Sequence, residues 1–189
     1  MILEGIVTTQ NTEGIINVAP MGPIVDVTMQ TFVLRPFQTS TTYQNLKQTN
    51  VGVLHVTDDV LLLARAAIGK LNDVPETQPA ERINGVVLKT ACRWYEFKVT
   101  SLDDHEERTR IECKVVHAGR LRDFFGFNRA KHAVIEAAIL ATRVHLIPAD
   151  EIRAEFERLS VPIEKTAGPQ EREAFALLSE YVAERTVDR

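Results

Sequence analysis

The stretch Arg35-Pro36-Phe37-Gln38-Thr39-Ser40-Thr41-Thr42-Tyr43 has the residue types and spacing that come nearest to a binding chemistry. A strand is expected to end at Arg35, and four consecutive hydroxyl residues, Thr39, Ser40, Thr41 and Thr42, follow with a helix beginning among them. Such a junction suits an anion. The first N–H groups of a helix have no partner within it and lie at the positive end of its dipole. Hydroxyls donate to phosphate oxygens, and a guanidinium offers a planar fork that matches two oxygens at once. A plainer reading needs no ligand: Ser40 or Thr41 caps the helix, and Arg35 is a solvated strand end. Four adjacent hydroxyl residues exceed what a cap requires, so both readings stand at this point.

The second candidate is Asn17-Val18-Ala19-Pro20-Met21-Gly22, at the end of the second expected strand. Pro20 cannot donate to a ladder, which places it at a strand edge or exit where neighbouring main-chain groups are free. A flat heterocycle with a uracil-like edge needs both donors and acceptors, and an exposed strand end supplies both. An ordinary strand-to-turn exit is the alternative. His55 falls mid-strand on the face opposite Leu54 and Val56, either as a satisfied sheet histidine or as a site lining. The histidines at 55, 105, 117, 132 and 145 form no H-x-x-x-H or H-E-x-x-H pattern, so no metal is expected. No G-x-S-x-G elbow occurs, and Asp58-Asp59 and Asp103-Asp104 adjoin turns, where solvated acids are common. No catalytic side chain is assigned, which fits an enzyme whose reactive atom belongs to a cofactor.

The elements that must position these residues change character near residue 120. Before it, runs rich in Val, Ile and Thr alternate with turn residues: Leu3 to Thr9, Gly14 to Ala19, Val25 to Leu34, Val51 to Thr57, Asn84 to Thr90, Arg93 to Leu102 and Thr109 to Gly119. That spacing predicts a barrel or sandwich. Alternation in Trp94 to Val99 and in Ile111 to Val115, across the charged turn 103–107, predicts a hairpin with one wet face. Two helices are expected among the strands, Thr41 to Gln48 and Val60 to Ile68, and 72–81, with Pro75 and Pro79, reads as a loop.

After residue 120 the pattern is helical. Ala130 to Thr142 carries an apolar stripe of Val134, Ala138 and Ala141 beside Ile135 and Ile139, with Asn128 as its N-cap. Helices Ala149 to Leu159 and Gln170 to Glu184 follow. Strands followed by helices make the chain α+β, mainly β, with domains 1–120 and 121–189. No G-x-G-x-x-G follows a strand, so a Rossmann site is not supported.

With 26 acidic against 22 basic residues the net charge is -4, and no run of Lys/Arg suggests a surface that neutralises phosphates; nucleic acid is not an expected partner. No apolar run reaches the roughly 18 residues of a membrane span, and the start of the chain lacks a basic n-region, so the reading is cytoplasmic, with no membrane partner. Cys92 and Cys113 read as small buried residues with reduced thiols, and Trp94 as core or interface.

At Asn17 to Pro20, and at Arg35 with Thr39 to Thr42, the chain resembles the flavin-reductase-like split-barrel superfamily. There a strand with N-x-x-P lies against the flavin ring, and Arg or Lys with Ser/Thr before the first helix holds the FMN phosphate. Nearly the whole chain is similar to a domain-of-unknown-function family of FMN-binding split barrels with a helical C-terminal part, which the stretch from Gly126 to Arg143 matches. The resemblance implies a flavin-reductase-like split β-barrel with a helical extension and FMN as cofactor. The main chain of Val18, Ala19, Pro20 and Met21 would set the ring, Arg35 with Ser40, Thr41 and Thr42 the phosphate, and His55 one ring edge. It further implies a flavin-dependent oxidoreductase, a homodimer with NAD(P)H or another small redox molecule as partner, and a link to tetrahydromethanopterin-dependent one-carbon metabolism. A non-catalytic FMN carrier and a pyridoxamine-phosphate oxidase relative are the alternatives.

Overall fold

The structure is a computed structural model that describes residues 1–186; positions 187–189, which the sequence reading places in the helical part, lie outside the described residues. In chain order the elements are β1 (Gly5–Gln10), β2 (Ile16–Met21), β3 (Ile24–Val25), β4 (Thr31–Leu34), α1 (Thr41–Thr49), β5 (Val51–Val56), α2 (Val60–Ala67), β6 (Thr77–Pro79), β7 (Val86–Leu88), β8 (Arg93–Asp103), β9 (Arg110–Arg120), α3 (Arg129–Ala141), α4 (Ala149–Thr166) and α5 (Pro169–Thr186). They form two compact units. The first holds Met1–Thr57 and Asp73–Phe124; the second holds Asp58–Asn72 and the chain from Phe125 onward.

In the first unit seven strands make an antiparallel sheet in the order β2-β1-β5-β8-β9-β4-β3. Residues just before β1 leave the sheet edge and meet β3: Ile2 bridges to Ile24, Leu3 N–H donates to Pro23 O at 3.1 Å, and Val25 N–H donates to Met1 O at 2.9 Å. These bonds curl the sheet toward closure and leave β2 outside as an edge strand. Alternation sends Val7, Leu54 and Phe97 inward, where they meet Phe32, Leu34, Ile111 and Cys113. From α1, Tyr43 and Leu46 join that core. The outer face of β5 and β8 is not wet here, because β6 and β7 form a two-stranded ribbon whose Val87 packs with Val53 and Trp94.

The hairpin's wet face is confined to its far half, where Lys98, Thr100, Glu112 and Lys114 are exposed. Two local expectations are corrected. The single strand Val25 to Leu34 is two, because Asp26 Oδ1 accepts from Thr28 N–H and Met29 N–H, both at 3.0 Å, and turns the chain with Met29 at φ 52°. The loop 72–81 contains β6, whose Pro79 sits in an isolated ribbon with no central position to disrupt.

In the second unit α2 packs with α3 and α5, and α3 with α4. Asn128 caps α3, accepting from Ala130 N–H at 2.8 Å and Lys131 N–H at 3.1 Å. The buried face of α3 is Ala130, Ala133, Val134, Ala137, Ala138 and Ala141, while Ile135 and Ile139 are only half-buried. An alanine face lets three helices approach closely, and that rotates the buried stripe from the expected one. Helix α4 runs past Leu159 through Pro162, because Ile163 is buried on the same face as Ile152 and Phe156. No described helix is long and apolar enough to cross a membrane.

Candidate functional site

The two motifs singled out in the sequence lie in the first unit and are joined by a hydrogen-bond chain. Asn17 on β2 donates through Nδ2 to Thr42 Oγ1 at 3.0 Å and reaches Thr9 Oγ1 at 3.4 Å. Asn45, one turn further along α1, donates to the same Thr9 hydroxyl at 3.0 Å. Thr9, Thr42 and Asn45 are all buried. An edge strand and the start of α1 are thus pinned together across β1. Sequence reasoning found Asn17 and Thr42 but not Thr9 or Asn45, which no local pattern distinguishes from an ordinary strand threonine and helix asparagine.

Each predicted residue has a definite place. Ser40 is the N-cap of α1: its hydroxyl accepts from Tyr43 N–H at 3.2 Å and donates to Phe37 O at 2.7 Å. Its hydroxyl is therefore committed to the chain itself. Thr42 is buried and holds Asn17, whereas Thr39 and Thr41 expose their side chains. Val18, Ala19, Pro20 and Met21 are half-buried along β2, paired with β1 on one side only. Main-chain groups on the other side have no strand to bond among the described residues.

Arg35 follows β4 directly and is half-buried. Its Nε is buried and has no hydrogen-bond partner among the described residues. A buried donor left unpaired costs about 1 to 3 kcal/mol, and α1 begins six residues on with N–H groups directed away from the helix. An anion beside Arg35 would satisfy that donor, and the first N–H groups of α1 suit the same charge.

His55 is a correction. It is fully buried, Nδ1 donates to Ile6 O at 3.1 Å, and Nε2 accepts from Leu88 N–H at 3.1 Å. The carbonyl can only accept and the amide can only donate, so the ring is neutral with its proton on Nδ1. Burial pushes its pKa down from 6.5 to about 4, only partly offset by the bond to Ile6. Neither nitrogen is left for a flavin edge, and His55 ties β1 and the β6–β7 ribbon to β5.

A family model described as the N-terminal domain of a protein of unknown function, DUF447, matches residues 3–122, and the model of the remainder of DUF447 matches 128–180. Among solved structures, an FMN-bound DUF447 protein from Methanosarcina mazei is similar at 24% identity and a TM-score of 0.82, covering 95% of this chain and 94% of that one. A 2-nitrobenzoate 2-nitroreductase from Pseudomonas fluorescens shares 17% identity at a TM-score of 0.52, over 62% of this chain and 64% of that one. An NADH:FAD oxidoreductase from Streptomyces globisporus, in complex with NAD and FAD fragments, shares 13% at 0.51, over 62% and 73%. No curated protein matches. The fold is accordingly the flavin-reductase-like split barrel, with a helical C-terminal part.

Proposed function

The chain belongs to the DUF447 family, and on that premise we propose that it is an FMN-binding protein acting as a flavin-dependent oxidoreductase of the flavin-reductase type. The buried Nε of Arg35 carries this reading, because it is a charged donor left unsatisfied among the described residues. Arg35, the exposed hydroxyls of Thr39 and Thr41, and the first N–H groups of α1 would hold the phosphate. The open side of β2, from Val18 to Met21, would offer main-chain donors and acceptors to the ring. Ser40 and Thr42 serve differently: Ser40 starts the helix, and Thr42 with Asn17 keeps phosphate and ring positions in register. Bound FMN supplies hydride and electron transfer, which is why no acid–base pair of side chains is needed.

The M. mazei protein is FMN-bound and the S. globisporus one is an NADH:FAD oxidoreductase, which supports FMN as cofactor and NAD(P)H or a small redox molecule as partner. A homodimer agrees with the unpaired edge of β2 and with two-fold dimers being the commonest oligomer. Buried Cys92 and Cys113, which form no disulfide among the described residues, agree with a reducing cytoplasm. The link to one-carbon metabolism rests on the family resemblance.

The purified protein should be yellow, release FMN on heating, and lose its flavin colour when NADH or NADPH is added without oxygen. A colourless protein that takes up no added FMN overturns the cofactor reading. A yellow protein that neither nucleotide bleaches is an FMN carrier.

A further inference from the structure

The long hairpin carries, at the end away from Arg35, an arrangement that the flavin reading does not use. Arg93 opens β8, Arg120 closes β9, and the strand register sets them directly opposite each other. Like charges in that position destabilise a strand pair. Neither guanidinium has a buried carboxylate to offset this. The Arg93 guanidinium makes no hydrogen bond or ion pair among the described residues, and that of Arg120 meets only Asp123, an exposed neighbour in the chain.

Side chains alternate along a strand, so Arg93 and Tyr95 share a face with Ala118 and Arg120. With Gly119 these residues line a cavity of about 270 Å³. A small residue keeps it open, since Ala118 stands opposite the half-buried Tyr95. The Arg93 guanidinium, which has no partner among the described residues, and the Arg120 guanidinium, whose one partner Asp123 is exposed, stand beside an aromatic wall as a receptor for a charged ring compound.

We propose that Arg93, Tyr95 and Arg120 bind a small planar anion, a carboxylate or phosphate ester carried on a single ring. The two guanidiniums take the anionic group, and the ring lies against Tyr95. The cavity is slightly smaller than the roughly 300 to 1,000 Å³ of pockets for drug-sized ligands, which suits one ring and excludes a dinucleotide. The site lies away from the proposed phosphate position. Leu34, next to Arg35, pairs with Ile111 at the other end of β9, about 30 Å of strand away at 3.3 Å per residue.

Calorimetric titration of the full chain with benzoate, phenyl phosphate and the neutral benzamide tests the assignment. At least one of the two anions should bind, at least tenfold tighter than benzamide, and the tighter of the pair identifies carboxylate or phosphate as the group recognised. Arg93→Gln and Arg120→Gln should each weaken that anion tenfold or more. Because one like charge is removed, Arg93→Gln should also melt at or above the wild-type temperature in plain buffer, while losing the rise in melting temperature that the anion produces. Absence of binding at millimolar anion, equal binding of benzamide and benzoate, or undiminished binding by the double variant overturns the site. FMN content is read on the same samples: loss of FMN from Arg93→Gln would assign the pair to the flavin and overturn a separate site. Wild-type protein that takes up no FMN yet binds benzoate overturns the flavin reading and leaves this one standing.

Discussion

Arg35 is held with a buried Nε that nothing among the described residues accepts from, and its substitution reads directly on that atom. Arg35→Ala should weaken FMN by about 1.5 to 3 kcal/mol, roughly 10- to 150-fold in dissociation constant by fluorescence titration, with the fold intact. Riboflavin, which lacks the phosphate, should bind wild type more weakly, and the variant should distinguish the two less. On the proposed reading β2 meets the ring through its main chain, so Val18→Ala should change affinity by less than about 1 kcal/mol. Pro20→Gly should cost more, because glycine releases the fixed φ of the segment proposed to face the ring. Equal losses for the two would mean the segment works through side-chain packing. His55 yields a pH dependence of stability. Its folded pKa, about 4, lies below its unfolded 6.5, so its contribution is complete above pH 6.5 and is lost as pH falls toward 4, by up to about 3 kcal/mol. Urea denaturation at pH 7 and pH 4.5 should show a steeper loss for wild type than for His55→Gln; parallel losses would remove His55 as the cause.

At the scale of elements, the outer face of β5 and β8 is sealed by the β6–β7 ribbon through buried polar ties. Thr8 donates to Val86 O at 2.7 Å, His55 accepts from Leu88 N–H, and the buried Glu96 carboxylate accepts from Glu81 N–H at 2.8 Å and Arg82 N–H at 2.7 Å. Trp94, whose Nε1 donates to Glu96 at 3.2 Å, lies across Gly119 of the partner strand. A methyl group at 119 has no room, so Gly119→Ala should destabilise by about 1 to 3 kcal/mol, as overpacked cores do. The denaturation midpoint and the near-ultraviolet circular dichroism of the lone tryptophan would report it; an unchanged spectrum with unchanged stability would mean that the ring can move aside.

At the scale of the molecule, the division into units cuts across chain order. Helix α2 comes between β5 and β6 in sequence, yet its buried Leu62, Leu63 and Ala64 belong to the helical unit, where α2 packs with α3 and α5. Within that unit Lys131 pairs with Glu171 at 2.8 Å and donates to Asp58 O at 2.7 Å. Removing everything from residue 121 onward would strip α2 of its partners and leave apolar surface in water. The truncated chain should be insoluble. A soluble, monodisperse truncation that still binds FMN would show that the barrel needs no helical partner.

From sequence alone the character of the chain was legible: strands before residue 120, helices after it, Asn128 as a cap, and the two stretches around Asn17 and Arg35 as candidate sites. These follow from local physics, namely side-chain periodicity, capping hydroxyls and the missing N–H of proline, each of which acts over a few residues. What tertiary structure decided depends on residues distant in the chain. Whether the polar atoms of His55 and Arg35 are satisfied depends on Ile6 and Leu88 for one and on the lack of any acceptor for the other. The face of α3 that is buried depends on α2, α4 and α5, and the outer covering of β8 depends on a ribbon whose first strand is too short and proline-bounded to declare itself. Two residues facing each other across strands, such as Arg93 and Arg120, are placed by register, which is set by the whole ladder and its bulges rather than by either residue's neighbours in sequence.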